Sequence, residues 1–284
     1  MGAIIHCGTS GWNRPDWDSV VFPRLRPRGF HALEHLAGEV DVIEVDSAYE
    51  RPVRPELARL WLKKVALNPD LVFTVPLGRE FTLDRGLDPE RVRIYKEGLE
   101  PLAEAHRLGC VLMRFPWSFR FTRENRDFVV ELRRTFPEYP LVAELRHASW
   151  TYDEALGTLM DYRIGFCNLD QREGARATPP TAIVTSGTGY IRLLGRGGDD
   201  WTQDESLANY LYTSNELAEW QPRIERVARH TTATYVVAAN AARGKSMVNA
   251  MQLRSMLADL AGPVERRAVA NVVTFASAQE RRPA

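Results

Sequence analysis

Polar and ionisable residues close nearly every short apolar run of this sequence, at intervals that suit a shared site. Glu44 and Asp46 fall in DVIEVD, Arg114 in CVLMRF, Glu144 and Arg146 in LVAELR with His147 following, Asp170 in IGFCNLD, Arg192 in YIRLL and Asn240 in TYVVAAN. A charge inside a β-run is costly unless paired, so these positions imply an assembled network. Side chains repeat every two residues along a strand, which puts Glu44 with Asp46, and Glu144 with Arg146, on shared faces that can point into one mouth. A carboxylate beside guanidinium groups keeps a depressed pKa and suits orientation of a substrate. One in an apolar pocket has a raised pKa and can act as acid or base. Glu44, Glu144, Asp170 and His147 are therefore the candidate catalytic residues, with Arg114, Arg146 and Arg192 as anchors for anionic groups. The same charges can instead form a buried structural salt-bridge lattice.

Around these lie residues suited to holding a ligand. Thr9, Ser10 and Trp12 belong to GTSGW, Tyr49 and Arg51 follow Glu44, and Trp117 and Trp150 follow two later apolar runs. Flat apolar walls with a few polar groups suit a sugar, a nucleoside or an aromatic ligand, while core packing is the alternative for each ring. Arg196 lies in Gly195-Arg196-Gly197-Gly198, and Lys245 and Ser246 lie in Arg243-Gly244-Lys245-Ser246, which opens an expected helix. Free amides at such a corner can take a phosphate, against the alternative of a glycine turn with solvated basic residues. The Gly-Lys-Ser ending is not a P-loop, because Ala239 stands where that pattern needs glycine. Neither His-Glu-x-x-His nor Cys-x-x-Cys occurs, and no metal or cofactor is expected. A divalent ion held by Glu44, Glu144, His147 and Asp170 is the competing arrangement. Cys167, Ser10 and Ser118 lack the context of an activated nucleophile.

The elements that must position these groups follow from hydropathy. AIIHCG, DVIEVD, LVFTVP, CVLMRF, LVAELR, IGFCNLD, YIRLL and TYVVAAN are short β-branched runs that read as buried parallel strands. Helical spacing lies between most of them, as in Phe128, Val129, Leu132 and Phe136, or Leu253, Leu257 and Leu260. Thr213 with Glu216 forms a capping box ahead of Trp220, Ile224 and Val227, and Gly262-Pro263 stops the last long helix. About eight βα units favour closure into a TIM-like α/β barrel over an open doubly wound sheet. The expected organisation is one barrel domain over residues 1–276 and a frayed tail over 277–284, with a loop carrying a small β excursion from Gly174 to Thr188. In such barrels reactive groups come from the C-terminal strand ends, where the candidates lie.

The chain has 284 residues, 44% hydrophobic and 26% charged, enough for one large core. Lys plus Arg and Asp plus Glu are 37 each, so no net field draws nucleic acid or an anionic membrane. No stretch approaches the about 20 apolar residues of a membrane span. Cys7, Cys110 and Cys167 sit far apart in apolar runs, which fits reduced, buried thiols and a cytoplasmic setting. Nothing in the sequence assigns an oligomeric state.

GTSGW at 8–12, EVDSAYERP at 44–52, FPWSF at 115–119, AELRHASW at 143–150, YIRLLGRG at 190–197 and NAARGKSMVNAMQL at 240–253 together resemble the YecE-like family, domain of unknown function 72. The resemblance spans nearly the whole chain. It implies a TIM-type barrel and names no reaction. Matching positions include Gly8 to Trp12, Glu44, Ser47, Arg51, Glu144, Arg146, His147, Ser149, Trp150, Asp170, Arg192, Gly195, Asn240 and Asn249. The chain departs from the pattern at Asp46, where asparagine is usual, at Pro76 for lysine, Arg114 for glutamine, Leu194 for histidine and Ala239 for asparagine. Either Arg114 and Asp46 rebuild the site for another ligand, or this member lacks the usual activity. Three functions follow: an enzyme acting on a small polar, phosphorylated or sugar-like ligand; a non-catalytic ligand- or partner-binding barrel; and a metal-dependent phosphoesterase acting on nucleic acid, which the neutral charge balance disfavours.

Overall fold

The structure is a computed structural model in which residues 4–174, 176–197 and 207–258 are described. Eight parallel strands close into a barrel in sequence order: β1 (Ile4–Ser10), β2 (Val42–Glu44), β3 (Val72–Pro76), β4 (Leu108–Arg114), β5 (Leu141–Glu144), β6 (Gly165–Gln171), β7 (Thr188–Gly195) and β8 (Ala233–Ala238). β8 returns to β1 in register, Ile4 beside Ala233 through Thr9 beside Ala238, so no edge is left unpaired. Every expected strand is present. The run at Asp41–Asp46 is shorter than its hydropathy suggests: Val45 leaves the sheet and Asp46–Tyr49 turn into a 3-10 helix.

Helices cover the barrel: α1 (Ala32–Leu36), α2 (Pro55–Lys64), α3 (Arg79–Thr82), α4 (Pro89–Glu104), α5 (Arg123–Thr135), α6 (Asp153–Asp161), α7 (Ser214–Arg229) and α8 (Lys245–Met256). α5 buries Phe128, Val129 and Leu132, and α7 buries Leu217, Trp220, Ile224 and Val227, so each presents one apolar stripe to the sheet. The capping box at Thr213 and Glu216 forms as its spacing requires, with both reciprocal bonds made. The segment after β6 makes the expected β excursion, an antiparallel bridge between His147 and Ala177. Leu260, the Gly262-Pro263 stop and the tail at 277–284 lie outside the described residues.

Strand parity decides what reaches the barrel interior. Val42, Cys110, Leu112, Val142, Cys167, Leu169, Tyr190, Leu194, Tyr235 and Val237 pack on one another as a core built from strand residues alone, which marks them as inward. Their neighbours Ile43, Val111, Val236 and Ile191 pack in the layers that hold the helices. Cys7, Cys110 and Cys167 are all buried and none forms a disulfide among the described residues, with burial pushing the Cys110 and Cys167 thiols well up.

Candidate functional site

Counting in twos from those inward residues places Glu44, Arg114, Glu144 and Arg192 inside the C-terminal end of the barrel, and Ser10, three residues after outward Cys7, faces in with them. They meet there. Arg192 donates from Nε to Glu44 Oε2 at 3.0 Å, from Nη2 to Glu44 Oε1 at 2.8 Å and from Nη1 to Glu144 Oε2 at 2.9 Å. Glu44 also accepts from Ser10 Oγ at 2.7 Å and from the Tyr190 hydroxyl at 2.8 Å, and that hydroxyl lies 3.0 Å from Thr74 Oγ1. Glu144 Oε1 accepts from Arg146 Nε at 2.9 Å, while Arg114 Nε stands 3.7 Å from Oε2. The Arg114 guanidinium lies over the Tyr49 ring, 4.7 Å from its centroid.

Depth divides this cluster into two tiers. Glu44 and Glu144 are fully buried and the Arg192 side chain is 4% exposed, whereas the Arg146 and Arg114 side chains are 15% and 17% exposed. Burial alone pushes the Glu144 carboxyl up, but Arg192, Arg146 and Arg114 outweigh it and hold it down at about 2. Glu44 follows the same logic and also lies below its ordinary value, with Arg192 the chief opponent of burial. Burial and the adjacent Glu44 charge push the Tyr190 hydroxyl well up, so it stays a donor. Both glutamates are thus anions near neutral pH. They can aim guanidinium groups and accept hydrogen bonds, and they do not supply protons there.

Asp170 is the main correction. It follows inward Leu169 by one residue and so faces outward, into the layer beneath α7. There it takes Arg196 bidentately, Nε to Oδ1 at 2.9 Å and Nη2 to Oδ2 at 2.7 Å, and accepts from Trp220 Nε1 of α7. Thr9 also faces outward and bonds Ser246 of α8 at 2.6 Å. Asn240 donates to Asn249 Oδ1 and to the Tyr210 carbonyl, each at 2.8 Å. Lys245 Nζ holds Asn209 at its carbonyl and side-chain oxygens, 2.6 and 2.9 Å away. These five residues, with Arg196, fasten α7, α8 and the segment at 207–212 to the barrel instead of lining its mouth.

At the expected phosphate corner one backbone amide is already taken, and Gly198 lies outside the described residues. Arg243 and Gly244 have φ of 52° and 73°, and the Arg243 amide donates to Asp16 Oδ2 at 2.7 Å. Gly195, φ 107°, is required because a Cβ there would strike the Leu207 carbonyl oxygen at 2.1 Å.

Two aromatic candidates are packing residues. Trp150 is fully buried, stacked on Phe119 at 5.6 Å, edge-on to Phe121 and donating from Nε1 to the Phe119 carbonyl. Trp12 is 9% exposed and meets Trp61 edge-on at 5.2 Å. Tyr49 is half-buried beneath Arg114, and Arg51 is exposed beyond the turn. Asp46 leaves the sheet with Val45 and pairs with Arg14 at 2.9 Å; burial raises its pKa despite that partner. His147 lies in the loop after β5, its ring stacked on Trp117. With Asp170 on the outer face, the four residues of the alternative metal arrangement do not converge, and no group of three or more candidate ligands occurs among the described residues. Tyr190 and Thr74 join the site without having been expected from sequence; each shares its strand's inward parity with a recognised neighbour, Tyr190 lying two residues before Arg192.

Among the family-pattern departures, Pro76, Leu194 and Ala239 have inward parity. Leu194 is 5% exposed and Ala239 packs on the interior core, so the mouth is apolar towards β7 and β8 and cationic towards β4 and β5.

Comparison with known proteins agrees with this architecture. The family model "Protein of unknown function DUF72" matches residues 6–271. The UPF0759 protein YunF of Bacillus subtilis (strain 168) is 20% identical over 272 residues, covering 89% of this chain and 95% of its own. A DUF72 family protein from Thermotoga maritima MSB8 superposes with a TM-score of 0.76 at 29% identity, over 90% of this chain and 99% of that one. A second, from Enterococcus faecalis V583, gives 0.79 at 20% identity over 90% and 96%, a likeness of fold. On a match over residues 6–271, which takes in nearly the whole barrel from β1 to α8, the chain belongs to the DUF72 family.

Proposed function

We propose that the barrel mouth binds a small anionic ligand, of the phosphorylated or sugar-acid kind, with Arg114 and Arg146 as its anchors. The observation that carries this reading is the fully buried Glu144 carboxylate, which accepts from Arg146 Nε at 2.9 Å and stands 3.7 Å from Arg114 Nε, with both guanidiniums at the partly exposed upper tier. A buried ion pair is a poor source of stability, which favours a positioning role over a purely structural one. Arginine forks suit carboxylate and phosphate oxygens. The apolar wall at Leu194 and Ala239 would receive the uncharged body of the ligand. If the protein is an enzyme, its charges fit stabilisation of developing negative charge by Arg114 and Arg146, with Glu44 and Glu144 as fixed anions. A thermal-shift screen of phosphorylated sugars, nucleotides and sugar acids, with and without divalent ions, tests this on wild type and Arg146→Gln. A shift in wild type that Arg146→Gln abolishes supports it; a shift that requires a metal and ignores Arg146 does not. Turnover assays on each hit separate an enzyme from a binding protein.

A further inference from the structure

His147 has a fixed geometry that the inner lattice does not use. Its Nδ1 receives the Ser149 backbone amide at 3.2 Å and lies 2.9 Å from the Ser149 hydroxyl. That hydroxyl oxygen already accepts the Phe121 amide at 2.8 Å, so its own proton is directed to Nδ1. Nδ1 is therefore an acceptor, and the proton of the neutral ring is on Nε2. Nε2 is buried and has no hydrogen-bond partner among the described residues, an unfavourable state that a ligand oxygen would relieve. Burial first, then the positive charges of Arg120 and Arg176, hold the ring below its ordinary pKa and keep it neutral. Arg120, His147 and Arg176 come from the loops after β4, β5 and β6, on the same side of the mouth as Arg114 and Arg146. Backbone bonds join two of those loops: Ala148 donates to the Arg176 carbonyl at 2.9 Å and Thr178 to the Arg146 carbonyl at 2.8 Å. Arg120 and Arg176 are exposed and neither forms an ion pair among the described residues.

We propose that His147 Nε2, with Arg120 and Arg176, forms a rim subsite for a second anionic group, so that the mouth accepts a small ligand with two phosphate-like ends. The two-ended ligand rests on the reading of Arg114 and Arg146 given above. Binding at the rim forms no covalent bond; the Nε2 proton is donated as a hydrogen bond and stays on the ring.

The test is nitrogen-detected NMR of the protein labelled with 15N-histidine, titrated with inorganic phosphate, with the His147 signals assigned by their loss in His147→Gln. The expected spectrum is that of the Nε2-protonated tautomer, with its Nε2 resonance moving as phosphate is added. Arg120→Gln and Arg176→Gln, at exposed positions that leave folding intact, each weaken that response by about tenfold, the scale of one charge-assisted contact. An Nδ1-protonated ring overturns the proposal. Phosphate binding that Arg146→Gln weakens while His147 stays unmoved overturns the rim subsite and leaves the inner site standing. A His147 response with no phosphate binding sensitive to Arg114→Gln or Arg146→Gln overturns the two-ended ligand by removing its inner half.

Discussion

Arg192 on β7 grips Glu44 on β2 through two bonds across the barrel interior, Nε to Oε2 at 3.0 Å and Nη2 to Oε1 at 2.8 Å. Glu44 is fully buried and Arg192 nearly so, and removing one leaves the other as an uncompensated buried charge. Arg192→Met is therefore expected to destabilise the fold by about 3–5 kcal/mol, because it leaves buried Glu44 without its cation and takes from Glu144 the deepest of its three. Equilibrium denaturation measures this. A loss under about 1 kcal/mol would mean that water already reaches Glu44 and Glu144.

Acid should unfold the protein through the same lattice. The Glu144 carboxyl is held at about 2, below its ordinary 4.5, so its contribution is complete above about 4.5 and is lost as pH falls towards 2. Glu44 shifts in the same direction. Stability measured against pH should drop through this window, and Glu144→Gln should flatten the drop. An unchanged slope in Glu144→Gln would place the acid sensitivity elsewhere.

Asp170→Asn separates the outer layer from the mouth. It should cost about 1–3 kcal/mol through the lost charge of a buried carboxylate that holds Arg196 and Trp220. Phosphate affinity at the mouth should stay within twofold of wild type, about the experimental noise. A selective loss of binding in a well-folded variant would return Asp170 to the site.

Trp150→Ala should likewise act on stability alone, by about 3–5 kcal/mol, since the ring is wholly enclosed by Phe119 and Phe121. Denaturation and ligand titration of the same preparation check both halves. A ligand-specific loss with normal stability would contradict the packing role.

The contrast between Glu144 and Asp170 shows how far the site is legible in the amino-acid sequence. Both close an apolar β-run and both are buried, but Glu144 is two residues from inward Val142, while Asp170 is one residue from inward Leu169. Near-continuous apolar strands, buried on both faces, hide that parity: in GFCNLDQ nothing marks which of Leu169 and Asp170 faces in. The eight-strand barrel is readable because strand length and βα alternation do not depend on parity. The bonds of Thr9, Ser246, Asn240 and Lys245 depend on α8 and on the segment at 207–212 meeting the outer face, contacts up to 237 residues apart in the chain. Asp46 leaves its expected face because the chain turns into a 3-10 helix at Asp46–Tyr49, with Val45 at φ −79° and ψ 73°, and Gly11 leaves room for the displaced carboxylate, since a Cβ there would lie 2.5 Å from Oδ2.

The proposed binding function rests on Arg114 and Arg146, aimed by Glu144, as anchors for an anion at the mouth. Calorimetric titration of wild type, Arg114→Gln and Arg146→Gln with inorganic pyrophosphate tests it most directly. The predicted result is one-site binding that weakens as salt is raised and that each substitution reduces by about tenfold, with the unfolding midpoint held near wild type. Equal pyrophosphate affinity in all three proteins, or none in wild type, would contradict it.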